Sequence, residues 1–403
     1  MERKLISADT HLCEPPDLWT TRLPRGMRDR AARLAWTGEY MHYVSAGGHY
    51  VISLSEYRDL RGTFQEHSTL ARWQSDNLAD GVWGQVIHPN VGLLVYTTDN
   101  ELAFAHARVY NDYVVELFGE HFDRHKPTAI IPVTDIDDAV TEVERAASRG
   151  LRGIVLPVEP TVRYSSPAYD RLWAAAQAHD LVAVFHIGVR TTTEEDYKVD
   201  AAELMQRLAG SAFTDEATAL ADRLRLEPQR SLVGQALIAD LVGGGVAERF
   251  PRLHFVLTEF NAYWLAGLMA GFDKAFTVGL GQDVSAPYAK QGMFDRDRAV
   301  DDQPFMVRQF GMTEAWPYPL RPSEYIQRQF HCTFQDDPAA IALRGFTGVD
   351  ALLWGSDYPH HEGCWPRSLE ALDAMFAGVP AEDRWAITGG TTARLFGFTP
   401  PSD

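Results

Sequence analysis

The sequence predicts a (β/α)8 barrel, and three observations carry that reading. From about residue 84 onward, short β-branched or apolar runs alternate with helix-period segments, the pattern of repeated βα units around a parallel sheet. With one run near the amino terminus, the strand-like runs number eight. The first of them is not followed by a GxGxxG phosphate loop, which sets aside a doubly wound open sheet as the structural rival.

Length and composition agree with that class. A parallel α/β barrel takes about 250 residues or more as one unit, so 403 residues are read as one barrel domain, 1–403, with insertions. Apolar residues make up 45% and charged residues 23%, far from the composition of disordered chains. Fifty-five acidic against 37 basic residues give a formal charge of −18, with no basic track to neutralise phosphates, so nucleic acid is not an expected partner. Neither a secretory leader nor roughly 18 uninterrupted apolar residues occur, so a cytoplasmic protein without a membrane span is expected. Cys13, Cys332 and Cys364 are odd in number and contain no CxxC pair, which points to reduced thiols.

The eight strands are expected at Leu5 to Asp9, Gly84 to His88, Thr128 to Val133, Gly153 to Val158, Val182 to His186, His254 to Glu259, Phe330 to Phe334 and Leu352 to Ser356. Helices are expected between several of them. Asp135 to Arg149 carries Ala139, Val143 and Ala147 at helical spacing, and Pro167 to His179 is a second case. Tyr40 to Leu54 alternates around Ala46-Gly47-Gly48, which predicts a β-hairpin inserted after strand one. Two further insertions are expected at about 190–230 and 271–323. The hairpin and the last insertion would rise from the strand carboxyl ends, where barrel enzymes place their active sites.

Costly polar residues fall at those same ends. Asp9 and His11 end strand one, His186 ends strand five, Glu259 ends strand six and Asp357 follows strand eight. Three carboxylates brought into one cavity raise one another's pKa unless a cation compensates. A divalent metal is therefore expected, with Asp9, His11, His186, Glu259 and Asp357 as its ligands. The mixed nitrogen and oxygen set suits zinc first, with manganese or iron as alternatives. Asp9 and His11, two apart on one strand, share a face and can reach one ion. The bland readings are a solvated Asp-x-His pair, a core histidine at 186, and Glu259 or Asp357 as helix caps. Coincidence at one mouth weighs against all of them.

Four segments resemble the amidohydrolase superfamily, in the amidohydrolase 2 branch that includes aminocarboxymuconate semialdehyde decarboxylase and related aromatic acid decarboxylases. They are Ile-Ser-Ala-Asp-Thr-His-Leu-Cys-Glu-Pro-Pro-Asp-Leu-Trp at 6–19, Phe-His-Ile-Gly at 185–188, Trp-Gly-Ser-Asp-Tyr-Pro-His at 354–360 and Thr-Ala-Arg-Leu-Phe-Gly at 392–397. The resemblance implies a single barrel with one metal, sometimes two. By position, Asp9 stands where the family has the first His or Glu of the strand-one pair and His11 is the second member. His186 matches the strand-five ligand, and Asp357 matches the strand-eight aspartate that touches the metal or its water and moves protons. Glu14, within the motif, orients a ligand or holds the loop.

Two departures matter. Where the branch carries a strand-six His, sometimes followed three residues later by Glu, this chain has Glu259 and Ala262. For a bridging ligand at the end of strand four only Glu159 is at hand, so one metal is expected, with a second left open through Glu259.

The expected chemistry is metal-assisted hydrolysis of an amide, ester, lactone or thioester carbonyl, or of a ketone, with Asp357 moving the proton. Because the strand-six departure weakens the match to the lyases, hydrolysis is placed first. Non-oxidative decarboxylation of an aromatic or unsaturated carboxylic acid is the alternative, and a catalytically silent binding protein the third reading. His331 and one of His360 and His361 are candidates for a second proton carrier, although plain packing is the favoured role of His331. Arg190 is a candidate clamp for a substrate carboxylate, against a surface role. Trp316, in Trp316-Pro317-Tyr318-Pro319, is a candidate wall of a pocket for a largely apolar, aromatic or polycyclic small molecule. A homodimer is considered, although no residue pattern specifies it.

Overall fold

The computed structural model describes residues 4–37, 40–54, 69–193, 216–278, 282–283, 316–360 and 363–399. Thirteen strands occur among them: β1 (Leu5–Leu12), β2 (Arg33–Thr37), β3 (Tyr40–Val44), β4 (Tyr50–Leu54), β5 (Val82–Pro89), β6 (His125–Ile130), β7 (Gly153–Leu156), β8 (Val182–His186), β9 (His254–Thr258), β10 (Thr277–Val278), β11 (Gln282–Asp283), β12 (Phe330–Phe334) and β13 (Leu352–Trp354). Eight of these form one parallel sheet in the order β1-β5-β6-β7-β8-β9-β12-β13. Each corresponds to one of the eight expected strands, and helices pack outside them.

The ring closes between β13 and β1. His11 N donates to Tyr358 O at 2.7 Å, Asp357 N donates to Asp9 O at 2.9 Å, and Thr10 bridges Tyr358 in parallel. Ser7 Oγ accepts from Ser356 N at 2.9 Å and donates to Asp9 O at 2.7 Å, tying the seam below the mouth.

Boundaries moved for local reasons. The fourth strand stops at Leu156 because Pro157 has no N–H to continue the ladder. The third begins at His125, three residues before the expected start, since Pro127 is admitted in the register Ile87↔Pro127. β1 runs on to Leu12 across a register shift between Ser7 and Thr10. The expected hairpin exists as β3 and β4, with Gly47 and Gly48 at φ +106° and +84° in the turn, but β2 pairs antiparallel with β3 and makes it a three-stranded meander. The helix expected at Asp135 to Arg149 spans Ile136–Ser148, with Asp135 capping the N–H groups of Asp137 and Asp138 at 2.9 and 3.0 Å. Most of the two later insertions lies outside the described residues. Cys13, Cys332 and Cys364 are free thiols, and none of the described helices is long and apolar enough to cross a membrane.

The seam depends on Gly355. A Cβ there would lie 2.4 Å from Asp9 Cβ and 3.2 Å from Asp9 Cα and N, against a main chain that cannot retreat without opening the ring. Gly355→Ala is expected to destabilise the fold by about 1–3 kcal/mol or more, the usual range for overpacking. Urea denaturation of the two proteins measures it; equal midpoints would show that the seam yields freely.

Candidate metal centre and its surroundings

The carboxyl ends of four barrel strands deliver the polar residues to one place. Asp9 and His11 lie two apart on β1, His186 is the last residue of β8, Glu259 follows β9, and Asp357 and His360 follow β13. Glu259 and Asp357 have φ of +66° and +56°, and Asn261 follows at +54°. A non-glycine residue in that region carries a cost of order 1–3 kcal/mol and persists where its surroundings over-determine it. Asp337 supplies part of that restraint at the first turn. Its Oδ2 accepts from Ala262 N and Tyr263 N at 2.8 and 2.9 Å, while Oδ1 caps Ala340 N at the start of helix Pro338–Thr347.

Around His11 Nε2 lie Glu259 Oε1 at 3.3 Å, Asp357 Oδ1 at 3.5 Å, Asp9 Oδ1 at 3.7 Å and His186 Nε2 at 3.1 Å. One donor atom from each of Asp9, His11, His186 and Glu259 lies within 4.8 Å of the others, and His11, Glu259, Asp357 and His360 form an overlapping set. Both imidazoles are oriented by main-chain carbonyls. His11 Nδ1 is 2.9 Å from Pro89 O and His186 Nδ1 is 2.9 Å from Ile187 O, so each Nδ1 carries the proton and donates. Their Nε2 lone pairs therefore face inward, toward each other and toward carboxylates. Asp9 Oδ1 and Asp357 Oδ2 are buried without a hydrogen-bond partner. Two inward lone pairs and orphaned carboxylate oxygens around one point fit a divalent transition metal.

The titration of the groups expresses the same conflict. Burial, then Asp357 and Glu259, pushes the Asp9 carboxyl well above its ordinary range. Burial, then Glu259, raises Asp357 likewise. Burial and the neighbouring His360 push His11 down to about 3. For His186 burial opposes charge, but Glu259 and Asp9 outweigh it and hold the imidazole above its usual value. His186 Nε2 itself faces His11 Nε2 and Glu259 Oε1, at 3.1 and 3.5 Å. His360 is also raised well above its ordinary value, because Asp357 outweighs burial. Its Nδ1 lies 3.0 Å from Asp357 Oδ1, and its ring stacks on His11 at 4.1 Å between centroids.

The structure thus brings together Asp9, His11, His186, Glu259, Asp357 and His360. It does not bring His331 to them. His331 sits near the amino-terminal end of β12, where Nδ1 donates to Asp350 O at 2.6 Å and Nε2 accepts from His254 Nδ1 at 3.0 Å. Strand seven instead turns Thr333 toward the mouth, because side chains two apart share a face and His331 is at the other end of that face. Trp316 packs, among the described residues, within an aromatic group. Its indole donates to Leu320 O at 2.6 Å, and it packs on Tyr318 and Tyr325, whose hydroxyls reach Gly243 O and Glu248 in the helical layer before β9. Arg190 is half-buried, with its main chain bridging Glu159 beyond the end of β7. His361 lies outside the described residues.

Sequence reasoning passed over two residues here. His88, the last residue of the expected second strand, lies with Nε2 3.9 Å from Asp9 Oδ1 and packs near both inward imidazoles; burial, then His186 and His11, holds it uncharged. Its place at a strand end was the available signal. Thr333 was signalled only by the period of two along its strand.

The amidohydrolase family model matches residues 93–398. No curated protein matches the chain. Among solved structures, an amidohydrolase from Mycobacterium avium subsp. paratuberculosis K-10 superposes with a TM-score of 0.70 at 19% identity, covering 98% of this chain and 100% of that one. The 5-carboxyvanillate decarboxylase of Sphingomonas paucimobilis gives 0.64 at 17%, over 99% and 100% of the two chains. A dihydroxybenzoic acid decarboxylase from Polaromonas sp. JS666, with bound manganese and the inhibitor 2-nitroresorcinol, gives 0.58 at 16%, over 98% and 97%. At these identities the likeness shows the fold.

Glu14 holds the loop rather than contacting the group directly. Its carboxylate accepts from Asn90 N, Val91 N and Gly92 N at 2.9, 2.9 and 3.0 Å, just after the Pro89 carbonyl that orients His11. Burial outweighs these donors and raises the carboxyl to about 7. The folded state therefore keeps a proton that the unfolded chain, near 4.5, has released, so this group's stabilisation is lost as pH rises from about 4.5 through 7. A shift of that size corresponds to about 3 kcal/mol. Glu14→Gln, which cannot ionise, is expected to be less stable than the wild type at pH 5, with the deficit shrinking by pH 8. Denaturant titrations at both pH values measure this; a constant deficit would contradict the raised pKa.

Proposed function

The chain belongs to the amidohydrolase family, and from that premise we propose that it is a metal-dependent, non-oxidative decarboxylase of an aromatic carboxylic acid. The carrying observation is the Asp357–His360 pair, 3.0 Å apart, beside a group of donors suited to one divalent ion. Decarboxylation requires a proton delivered to the carbon that CO2 leaves, and no nucleophile. A carboxyl beside an imidazole can give that proton and recover it.

Asp9, His11, His186 and Glu259 are the proposed ligands, with Asp357 at the edge of the set. Manganese and zinc are both compatible with these donors. The bound ion would supply Lewis-acid polarisation of a substrate oxygen. Pro89 O and Ile187 O hold the two imidazoles with Nε2 inward. As the carbon–carboxylate bond breaks, its electron pair stays on the ring carbon and takes the proton of Asp357. His360 then restores that proton. Arg190 is retained as the proposed clamp for a substrate carboxylate.

Hydrolysis, placed first on sequence grounds, moves to second. It rested on the strand-six departure, yet Glu259 Oε1 lies 3.3 and 3.5 Å from the two inward nitrogens and supplies a donor there, so the departure no longer counts against a lyase. Two solved structures that share the fold are named as decarboxylases of aromatic acids, one with manganese. The Asp357–His360 pair could equally take a proton from water, and that keeps the hydrolytic reading alive.

The test is a panel of hydroxybenzoates and carboxylated phenols assayed for CO2 release, beside esters, lactones and thioesters assayed for hydrolysis, with metal analysis throughout. CO2 release is expected, with His186→Ala losing most of the metal and Asp357→Ala losing at least about 100-fold in kcat/KM while losing less metal than activity. Acyl turnover without CO2 would return hydrolysis to first place. Unchanged metal and turnover in both variants would remove the site.

A further inference from the structure

We propose that Thr333 is a positioning residue for the metal centre, setting through one hydroxyl which oxygen of Asp9 faces the ion and where the Glu259 carboxylate stands. The inference rests on the metal-binding reading above. Thr333 lies on β12, between β9 and β13, with its side chain buried under the mouth.

Its hydroxyl meets two groups. Glu259 N–H donates to Thr333 Oγ1 at 2.9 Å, and Thr333 Oγ1 lies 3.2 Å from Asp9 Oδ2. A hydroxyl has one proton. Since the amide is a donor only, that proton is left for Asp9 Oδ2, which accepts it as the ionised carboxylate a metal ligand must be. Asp9 Oδ2 is therefore occupied as an acceptor, and Oδ1, which has no hydrogen-bond partner, is the atom left for the ion. It is also the oxygen 3.7 Å from His11 Nε2.

The second bond acts on the strained turn. Glu259 is held at φ +66°, and its amide is secured from below by Thr333 while Asp337 secures the amides of residues 262 and 263. With both ends of the turn fixed, the Glu259 side chain is delivered to His11 and His186. A hydrophobic isostere at 333 would leave an N–H and a carboxylate oxygen buried without partners, and would free Asp9 to rotate.

Outer hydrogen bonds to ligands are typically worth about 10–100-fold in metal affinity. Thr333→Val, which keeps the shape and removes the hydroxyl, is expected to weaken Mn2+ and Zn2+ binding at least about tenfold in competition with a chelating dye. Thr333→Ser, which keeps the hydroxyl, should stay within about threefold of the wild type on the same reasoning. Thr333→Ala removes the same hydroxyl with less bulk and carries the same expectation if the valine variant does not fold. The visible spectrum of the Co2+-loaded proteins gives a second readout, with the serine variant matching the wild type and the valine or alanine variant shifted. Wild-type affinity in the hydroxyl-less variants, or equal loss in the serine variant, would overturn the proposal. Absence of metal binding by the wild type would instead strike the metal reading itself, so the two failures are distinguishable.

Discussion

Mutual repulsion among carboxylates and inward imidazole lone pairs, held out of water at one end of the barrel, is the constraint on which the rest of the mouth depends. Two like charges 4 Å apart interact at about 4 kcal/mol in an environment of intermediate polarity. Asp9, Asp357 and Glu259 all stand within 4 Å of His11 Nε2. Unaided, such a group relieves itself by binding protons, and the raised carboxyls of Asp9 and Asp357 and the raised imidazole of His186 are that relief. A divalent cation held by the same donors would supply that neutralisation at one point.

Holding these groups together falls to the main chain around them. Glu259 and Asp357 adopt left-handed backbone conformations that turn their side chains back over the strand ends. The seam between β13 and β1 carries Asp357 N to Asp9 O, so the main chains behind two carboxylates of the group are joined by one hydrogen bond. That approach is possible because residue 355 has no side chain to come between them. Barrel closure and the assembly of the site are thus one event: the strand that completes the ring also delivers the acid opposite Asp9.

All eight barrel strands were legible in the sequence because each is buried on both faces and reads as a short apolar run, with Val182 to His186 and Phe330 to Phe334 recovered at both ends. Asp9, His11, His186, Glu259 and Asp357 were legible as polar residues breaking such runs where an apolar residue would otherwise sit. Strand β2 was missed because Arg33–Thr37 is a short run that means nothing until β3 lies beside it. The packed role favoured for His331 is the one it has, but its position was not legible, since a strand shows which face a residue is on but not its height along the barrel, and height separates His331 from Thr333. The surroundings of Trp316 were not legible for a related reason: aromatic residues wall pockets and outer layers alike. The hydroxyl of Thr333 and the carboxylate of Asp337 act on main-chain amides of a turn far away in sequence, which no local pattern reports.

Exposure divides the proposed labour among the six groups. Asp9, His11 and Asp357 have no solvent-accessible side-chain surface, whereas Glu259 and His360 keep 16% and 18%. Among these described groups, Glu259 and His360 are the ones that meet solvent, and Asp9, His11 and Asp357 lie behind them. On the proposed assignment this order suits decarboxylation. Asp357 lies beneath His360, so a proton leaving it for substrate carbon can be replaced through an imidazole that touches water while Asp357 itself stays dry.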